Sequence, residues 1–567
     1  MNPHQMFASV LSVFALGGSA QAQDDATSRA IEETHGGRGE RGNRHGKGFD
    51  EVLRLKGEPL APRFPRFGEG IERHVLDNGL VVVLAQDKTL PLIEMELTIR
   101  AGEAYETEAL RGLCSAMIDR VRRGGIAAAR PTPLPPLTPE NEATYAEDTA
   151  PDVTTDAKAV DERFAAMATQ VGGRAGIDSA NFTLNALAAN FDESFRLFVD
   201  LVLRPAMVDP PENDGPRGGG FGGFGGGRGG RGPQQQASSE FRRIVYGEDH
   251  PLAREGFGGR GFGGPGGPGG PEGGAGPGGR RGPRFERSQL IDAYLRFVRP
   301  DQSFLMVVGD FESAPMLERI RGAFGGWSKP DEPPAPREDK AIPAIAGKGP
   351  GVYVIDVKTP QSAIVIGHLG VDRNTPDRFA IALMNDVLGG GSFTSRITER
   401  VRSDEGLAYS AGSSFPVDGR QPGLFQASVQ TKTESTARAI ELILEEIKRI
   451  REPGSISTNE FATARESRLY SSALAYSDRG RNVARLIQRE LEGRPTDLDE
   501  TEFRALQAVT IADLEAAAQK YLDPDQLVIC VAGDLEKIRD SLSKFGEIHV
   551  VPPRGRGGRR DPPGGGR

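Results

Sequence analysis

One pattern occurs twice and dictates the architecture. Tyr294-Leu-Arg-Phe-Val-Arg-Pro-Asp-Gln302 leads into the apolar run Phe304-Leu-Met-Val-Val308 and then Gly309-Asp310. Ala517-Ala-Gln-Lys-Tyr-Leu-Asp-Pro-Asp-Gln526 leads into Leu527-Val-Ile-Cys-Val-Ala532 and then Gly533-Asp534. Each copy reads as a helix, a Pro-Asp-Gln turn, a buried strand and a Gly-Asp turn into another helix. Asp301 and Asp525 stand 224 residues apart, a domain-sized period, so two similar units are expected. The first is placed at 70–330 and the second at 350–546. A linker at 331–349 joins them, within the Pro-rich stretch that starts at Lys329-Pro-Asp-Glu-Pro-Pro-Ala-Pro336.

The chain has 567 residues, of which 37% are apolar, enough for two real cores once biased segments are set aside. Its 75 glycines and 41 prolines concentrate in 36–48, 210–236, 255–285 and 552–567. Such tracts lack the apolar side chains that offset ordering entropy. Disorder is therefore expected in 23–69, in inserts at 210–236 and 255–285 within the first unit, and in the tail 547–567. A net charge of −9 argues against a nucleic-acid protein. The Arg-Gly repeats, such as Arg228-Gly-Gly-Arg231, leave two readings open, a solvated linker or a site for RNA or anionic surfaces. Cys114 and Cys530 fall in an expected helix and strand and read as small apolar packers. At the N-terminus, the apolar run Met6–Leu16 precedes Gly17-Gly-Ser-Ala-Gln-Ala22, the pattern of a signal peptide over 1–22. That predicts an exported protein, periplasmic or extracellular. No later run approaches the roughly 20 apolar residues of a transmembrane span.

The densest chemical information lies early in the first unit. Arg73-His-Val-Leu-Asp-Asn-Gly-Leu-Val-Val-Val-Leu84 and Pro91-Leu-Ile-Glu-Met-Glu-Leu-Thr-Ile-Arg-Ala-Gly-Glu103 are strand patterns, followed by the helix Ala109-Leu-Arg-Gly-Leu-Cys-Ser-Ala-Met-Ile-Asp-Arg-Val-Arg-Arg-Gly-Gly125. This order resembles the entry to the insulinase/pitrilysin-like zinc metallopeptidases, the family of the mitochondrial processing peptidase. In active members the helix carries an inverted His-x-x-Glu-His motif. Two histidines four apart on one face bind zinc, and the glutamate is the general base for the metal-bound water. Aligned on Gly112-Leu113 and Gly124-Gly125, this chain has Ser115, Ile118 and Asp119 at those positions. Serine is a poor zinc ligand, isoleucine takes no proton, and one aspartate is far short of three ligands. The seven histidines, at 4, 35, 45, 74, 250, 368 and 549, include no pair spaced three or four apart. The family's third ligand comes from a Glu-rich helix after a Leu-Leu-x-x-Pro signature, matched here by Leu201-Val-Leu-Arg-Pro205. In this chain that stretch runs into a glycine tract, where each glycine disfavours helix by roughly 1 kcal/mol relative to alanine. No metal ligand and no catalytic residue are therefore expected.

Further on, Asp161-Glu-Arg-Phe-Ala-Ala-Met-Ala-Thr-Gln-Val-Gly-Gly-Arg174 resembles a family helix ending in Gly-Gly, with a simple helix stop as the alternative. The second unit departs less from the family. Asn385-Asp-Val-Leu-Gly-Gly-Gly-Ser-Phe-Thr-Ser-Arg396 leads to Arg402-Ser-Asp-Glu-Gly-Leu-Ala-Tyr409, and the whole stretch resembles the family's substrate-binding element. The triple glycine reads as a flexible turn. The resemblance implies that Arg402 and Tyr409 reach a peptide carbonyl beside the zinc of the opposite half. The alternative is that Arg402 pairs with an acid such as Glu399 and Tyr409 packs at a strand start.

The resemblance implies an α+β fold: two similar units of mainly antiparallel sheet with helices packed on one face, forming half of a metallopeptidase clamshell, plus Gly/Pro-rich inserts. It also implies a function, that of the non-catalytic, peptide-orienting subunit of a heterodimeric zinc metalloendopeptidase. The partner would be a catalytic zinc-peptidase subunit of the same family that holds the zinc, and the substrates unfolded or extended peptides. The alternative is a stand-alone peptide- or protein-binding module.

Overall fold

The computed structural model describes residues 62–135, 138, 144, 149–209, 232–248, 250–253, 285–337, 349–391 and 394–552. The expected signal peptide, most of the N-terminal segment, most of both glycine tracts, linker residues 338–348 and the tail beyond 552 lie outside the described residues.

The first half contains strands β1 (Glu72–Val75), β2 (Val81–Gln86), β3 (Leu92–Ile99), the short pair β4 (Ile126–Ala127) and β5 (Val153–Thr155), then β6 (Gln170–Ala175), β7 (Ala180–Leu187) and β8 (Ser303–Gly309). Its helices are α1 (Leu113–Arg123), α2 (Ala157–Ala166), α3 (Phe191–Leu203), α4 (Pro233–Tyr246), α5 (Arg287–Phe297) and α6 (Ser313–Phe324). The second half contains β9 (Gly351–Asp356), β10 (Gln361–Leu369), β11 (Ala408–Ser414), β12 (Leu424–Lys432), β13 (Val528–Gly533) and β14 (Ile548–Val551). Its helices are α7 (Arg378–Asn385), α8 (Thr436–Ile450), α9 (Thr458–Leu474), α10 (Arg479–Leu491), α11 (Leu498–Ala508), α12 (Ile511–Tyr521) and α13 (Leu535–Leu542).

Two six-stranded sheets result, ordered β1-β2-β8-β3-β7-β6 and β14-β9-β13-β10-β12-β11. Setting β2 against β9, β8 against β13, β3 against β10, β7 against β12 and β6 against β11 superposes the two orders, so the duplicated sequence pattern is a duplicated fold. In the first sheet β2 and β8 are parallel and the other pairs antiparallel; in the second β9 is parallel to both β13 and β14, and the other pairs are antiparallel.

The alternation of side chains along each strand assigns the cores. In the first sheet Val82, Leu84, Met95, Leu97, Leu305 and Val307 face α1, α3, α5 and α6. On the opposite face Val81, Val83, Phe304 and Met306 pack against Val483, Leu486 and Ile487 of α10, a helix of the second half. In the second sheet Val354, Ile366 and Val531 pack with α7, α8, α12 and α13. Its other face, with Tyr353, Val365 and Cys530, is covered by Ala237, Phe241, Ile244 and Tyr246 of α4, a helix of the first half. Each half thus lends one helix to the other. This corrects the expectation of helices on one face only: β2, β8 and β13 are apolar on both sides and need two covers.

Three boundaries also move. Residues 548–551 are not tail but the edge strand β14, paired parallel to β9 through Ile548–Val352 and Val551–Ile355. The insert expected at 210–236 ends earlier, because α4 begins at Pro233, a residue suited to a first helical turn. Residues 62–69 pack on the second half: the Phe64 ring lies edge-on to Tyr476 and Phe503, at 5.1 and 5.5 Å, and Arg66 pairs with Glu500.

His368 on β10 is buried beside Phe415 and Phe425, its Nδ1 donating to Leu369 O at 2.8 Å and its Nε2 accepting from the Asp523 backbone N–H at 3.2 Å. Both nitrogens are used by the neutral ring. Burial lowers its pKa, with the Leu369 carbonyl and Asp523 pulling weakly the other way.

Two outcomes are expected. Because each half covers the other's sheet, a protease site placed within 338–348 and cleaved should leave two fragments that co-elute on size exclusion under native conditions and separate only in denaturant. Because the folded-state pKa of His368 lies below its unfolded value of about 6.5, its contribution is complete above that pH and is lost as the pH falls toward the folded value. The urea midpoint should therefore drop more between pH 7.5 and 5 in the wild type than in His368→Leu.

Candidate functional site

Helix α1 keeps its architecture. Its N-cap, Gly112, sits at φ 85° with no side chain to cap the turn. The buried carboxylate of Glu106 takes that role, accepting the Gly112 N–H at 2.7 Å and the Cys114 N–H at 2.6 Å. It satisfies two of the four orphan donors and places negative charge at the positive end of the helix. At the other end, Arg122 donates from Nε to Val171 O on β6 at 3.0 Å and pairs with Asp161 at 2.8 Å. Sequence reasoning missed Glu106, whose only signal was an acid a few residues ahead of the helix.

Ser115 and Asp119 are exposed, and Asp119 pairs along the helix with Arg123 at 3.4 Å. Ile118, expected at the position of the general base, is 1% exposed and joins the first core. Its Cγ2 lies 3.0 Å from where a Cβ on Gly173 would stand, so that glycine lets β6 approach α1 closely. Gly172 and Gly173 therefore belong to strand β6, and α2 has already ended at Ala166, which corrects the reading of a helix ending in Gly-Gly. An isoleucine on a closely packed strand cannot be exchanged for a charged base without displacing that strand.

A helix does follow the glycine tract, contrary to expectation, but it packs on the second sheet. Its one acid, Glu240 on α4, is buried, pairs with Arg243 at 3.3 Å and bears on the Cys530 thiol under the second sheet. Among the described residues no group of three or more His, Cys, Asp or Glu side chains is arranged to hold a metal ion. Ser115, Ile118 and Asp119 do not fit zinc. Burial pushes the Cys114 and Cys530 thiols up, so neither supplies a thiolate near neutral pH.

The element around Arg402 is intact and braced. Residues Asp386–Gly390 form a π-helical turn, and Arg396–Thr398 continues into a second one over Glu399–Asp404. A Cβ on Gly389 would fall 2.6 Å from the Ser413 backbone nitrogen, so the glycine turn is packed directly on edge strand β11. Close packing, rather than flexibility, is what these glycines supply. Ser413 donates to Asn385 Oδ1 at 2.7 Å, Thr398 donates to Ala411 O at 2.9 Å, and Arg468 grips Asp386 with two bonds of 2.6 and 2.7 Å. The buried Arg396 binds Glu460 at 2.6 Å and Ser455 O at 2.6 Å. Burial alone would raise the pKa of Glu460, but Arg396 and Ser457 together hold it below the ordinary carboxylate value. These braces join residues as far as 82 positions apart and leave no local signal in the sequence. Arg402 is half-buried on the second π-helical turn and is not without a partner. Tyr409 belongs to β11 by its backbone, and its side chain lies outside what is described.

Residues 284–468 match the family described as "Peptidase M16 inactive domain". That stretch, about a third of the chain, is similar to the M16 peptidase family. Among M16-like relatives, an uncharacterized zinc protease of Streptomyces coelicolor is 27% identical over 234 residues, 40% of this chain and 50% of the relative. One of Mycobacterium tuberculosis is 25% identical over 240 residues, 42% and 53% of the two chains. The chain spans about half the length of these curated relatives. Among solved structures, an M16 inactive domain from Pseudomonas fluorescens superposes with a TM-score of 0.57 at 20% identity, over 82% of this chain and 97% of that one. A protease from Helicobacter pylori gives 0.54 at 14%, over 84% and 100%. These two share the fold.

Ile118→Glu, the first step toward an M16 base, should destabilise the protein by about 3–5 kcal/mol, the cost of an uncompensated buried charge. Ser115→His and Asp119→His, on the exposed face, should each stay within about 0.5 kcal/mol. Urea denaturation of the three variants checks this. The triple variant should bind no stoichiometric zinc by elemental analysis.

Proposed function

We propose that the chain is the non-catalytic, peptide-orienting subunit of an exported two-chain M16 metalloendopeptidase, paired with a family member that holds the zinc. The observation that carries this reading is a contrast within one fold. The helix of the zinc motif is retained and capped with its base position converted to core, while the element around Arg402 is retained with its packing complete. A chain that had merely decayed would have no reason to keep the second and lose only the first.

In such a complex the zinc chemistry belongs to the partner, and this chain's residues hold the peptide. Arg402 offers a fixed fork of N–H donors to a peptide carbonyl, and the phenol of Tyr409 supplies a further donor to the oxygen that gains negative charge as the carbonyl is attacked. The exposed edges of β6 and β11 suit an extended peptide, because main-chain pairing along a strand edge tolerates many sequences. Export rests on the pattern over 1–22. Among the described residues no helix is long and apolar enough to cross a membrane.

Co-purification of the full chain from its source tests the reading, with zinc content and hydrolysis of an unstructured peptide measured on the chain alone and on any complex. Activity and zinc should appear only with a partner. In that complex Arg402→Ala or Tyr409→Phe should lower kcat/KM by about ten- to a thousandfold, the range for losing a charge-assisted bond or an oxyanion donor. Zinc content and assembly should stay unchanged. Variants that assemble normally and turn over at the wild-type rate would refute the assigned roles. Purification of the chain without any peptidase would favour the stand-alone peptide-binding module.

A further inference from the structure

The hairpins β6–β7 and β11–β12 are equivalent in the duplication, and the turns of both line one cavity of about 270 Å³. Matching positions of the two copies surround it. Glu103 and Ala104 follow β3 as Arg373 follows β10, Ile177 and Asp178 turn β6 into β7 as Asp418–Gln421 turn β11 into β12, and Leu252 follows α4 as Glu492 follows α10. The cavity therefore straddles the point where the two copies meet, a position that proteins favour for small ligands.

Its charges are not balanced in their commitments. Arg337 donates to Asp178 at 2.7 Å, Arg373 pairs with Glu492, and Asp418 is held by Arg378 at 3.2 Å. Glu103, the fourth acid of the lining, is likewise not without a partner. Of the lining arginines, Arg420 alone makes no hydrogen bond or ion pair among the described residues, although it is half-buried. Ala104, Ile177 and Leu252 give the cavity an apolar wall. A guanidinium partly removed from water without an acceptor is costly, and here the acids that could serve it are already engaged.

We propose that this cavity binds a small carboxylate carrying an apolar group, with the carboxylate on Arg420 and the apolar group against Ile177 and Leu252. The same chemistry comes from a free small acid or from the C-terminal residue of a peptide. The proposal does not depend on a catalytic partner, because every residue it names belongs to this chain.

Isothermal titration of the full chain tests it with N-acetyl-leucine, N-acetyl-leucine amide, and a tetraglycyl-leucine peptide with a free or amidated C-terminus. At least one free carboxylate should bind with millimolar affinity or better, the level open to a ligand of about a dozen non-hydrogen atoms. Its amide should bind at least about tenfold more weakly, as expected when a bond to a charged group is lost. Tighter binding of N-acetyl-leucine would identify a free acid as the occupant, and tighter binding of the peptide a C-terminus. Arg420→Gln should remove the preference for carboxylate over amide while leaving the thermal midpoint unchanged, and Arg420→Lys should restore part of it. Equal binding of acid and amide, no binding of either free carboxylate, or an Arg420→Gln protein that still prefers the acid would each overturn the proposal.

Discussion

The structure depends on strands that are apolar on both faces. Val81-Val-Val-Leu-Ala85, Phe304-Leu-Met-Val-Val308 and Val528-Ile-Cys-Val-Ala532 present buried side chains in both directions. Each such side chain favours burial by about 1.5–3 kcal/mol. The helices of one half cover one face of its sheet. The other face is closed by exchange, with α10 on the first sheet and α4 on the second. Neither half closes its own sheet, and the edge strand β14 and the N-terminal residues from Pro62 belong to the same compact unit.

Much of this was legible in the sequence, and the failures have physical causes. The repeated Pro-Asp-Gln, strand and Gly-Asp pattern located β8 and β13 and announced the duplication, because turn chemistry and a buried strand are local properties. The second cover was also written in the sequence, in continuous apolar runs where a one-sided sheet would alternate, but the one-faced family picture outweighed it. Strand β14 escaped because it is short, carries the polar His549 and adjoins a Pro/Arg/Gly-rich tail. Helix α4 escaped because its first turn, Pro233-Gln-Gln-Gln, follows directly on glycine-rich sequence. Gly172 and Gly173 read as a helix stop because glycine ends helices, whereas here it admits a neighbouring helix to a strand.

At the site, the sequence named the candidate residues and fell short on their supports. Of Ser115, Ile118 and Asp119, two lie on the exposed face of α1 and one in the core. The supports were invisible. Glu106 under α1, Asp386 under Arg468 and Glu460 under Arg396 are acids whose partners lie far along the chain or on backbone nitrogens. The cap of α1 and the three motif-position side chains are different residues, so the helix does not depend on what stands at 115, 118 and 119.

The position of α4 bears on what length of glycine tract the fold can carry. The helix is fixed to the second sheet by Phe241 and Ile244 and tied by the Tyr246 hydroxyl to Pro422 O at 2.9 Å, while the biased sequence lies immediately before and after it. The entropy of closing a loop between two fixed ends grows only with the logarithm of its length, about 0.6 kcal/mol for each doubling. A helix docked this firmly holds its place whatever the number of residues on either side of it. Stability would then scarcely register the difference between a short tract and a long one, and the anchoring face of α4 is what the fold requires of this stretch.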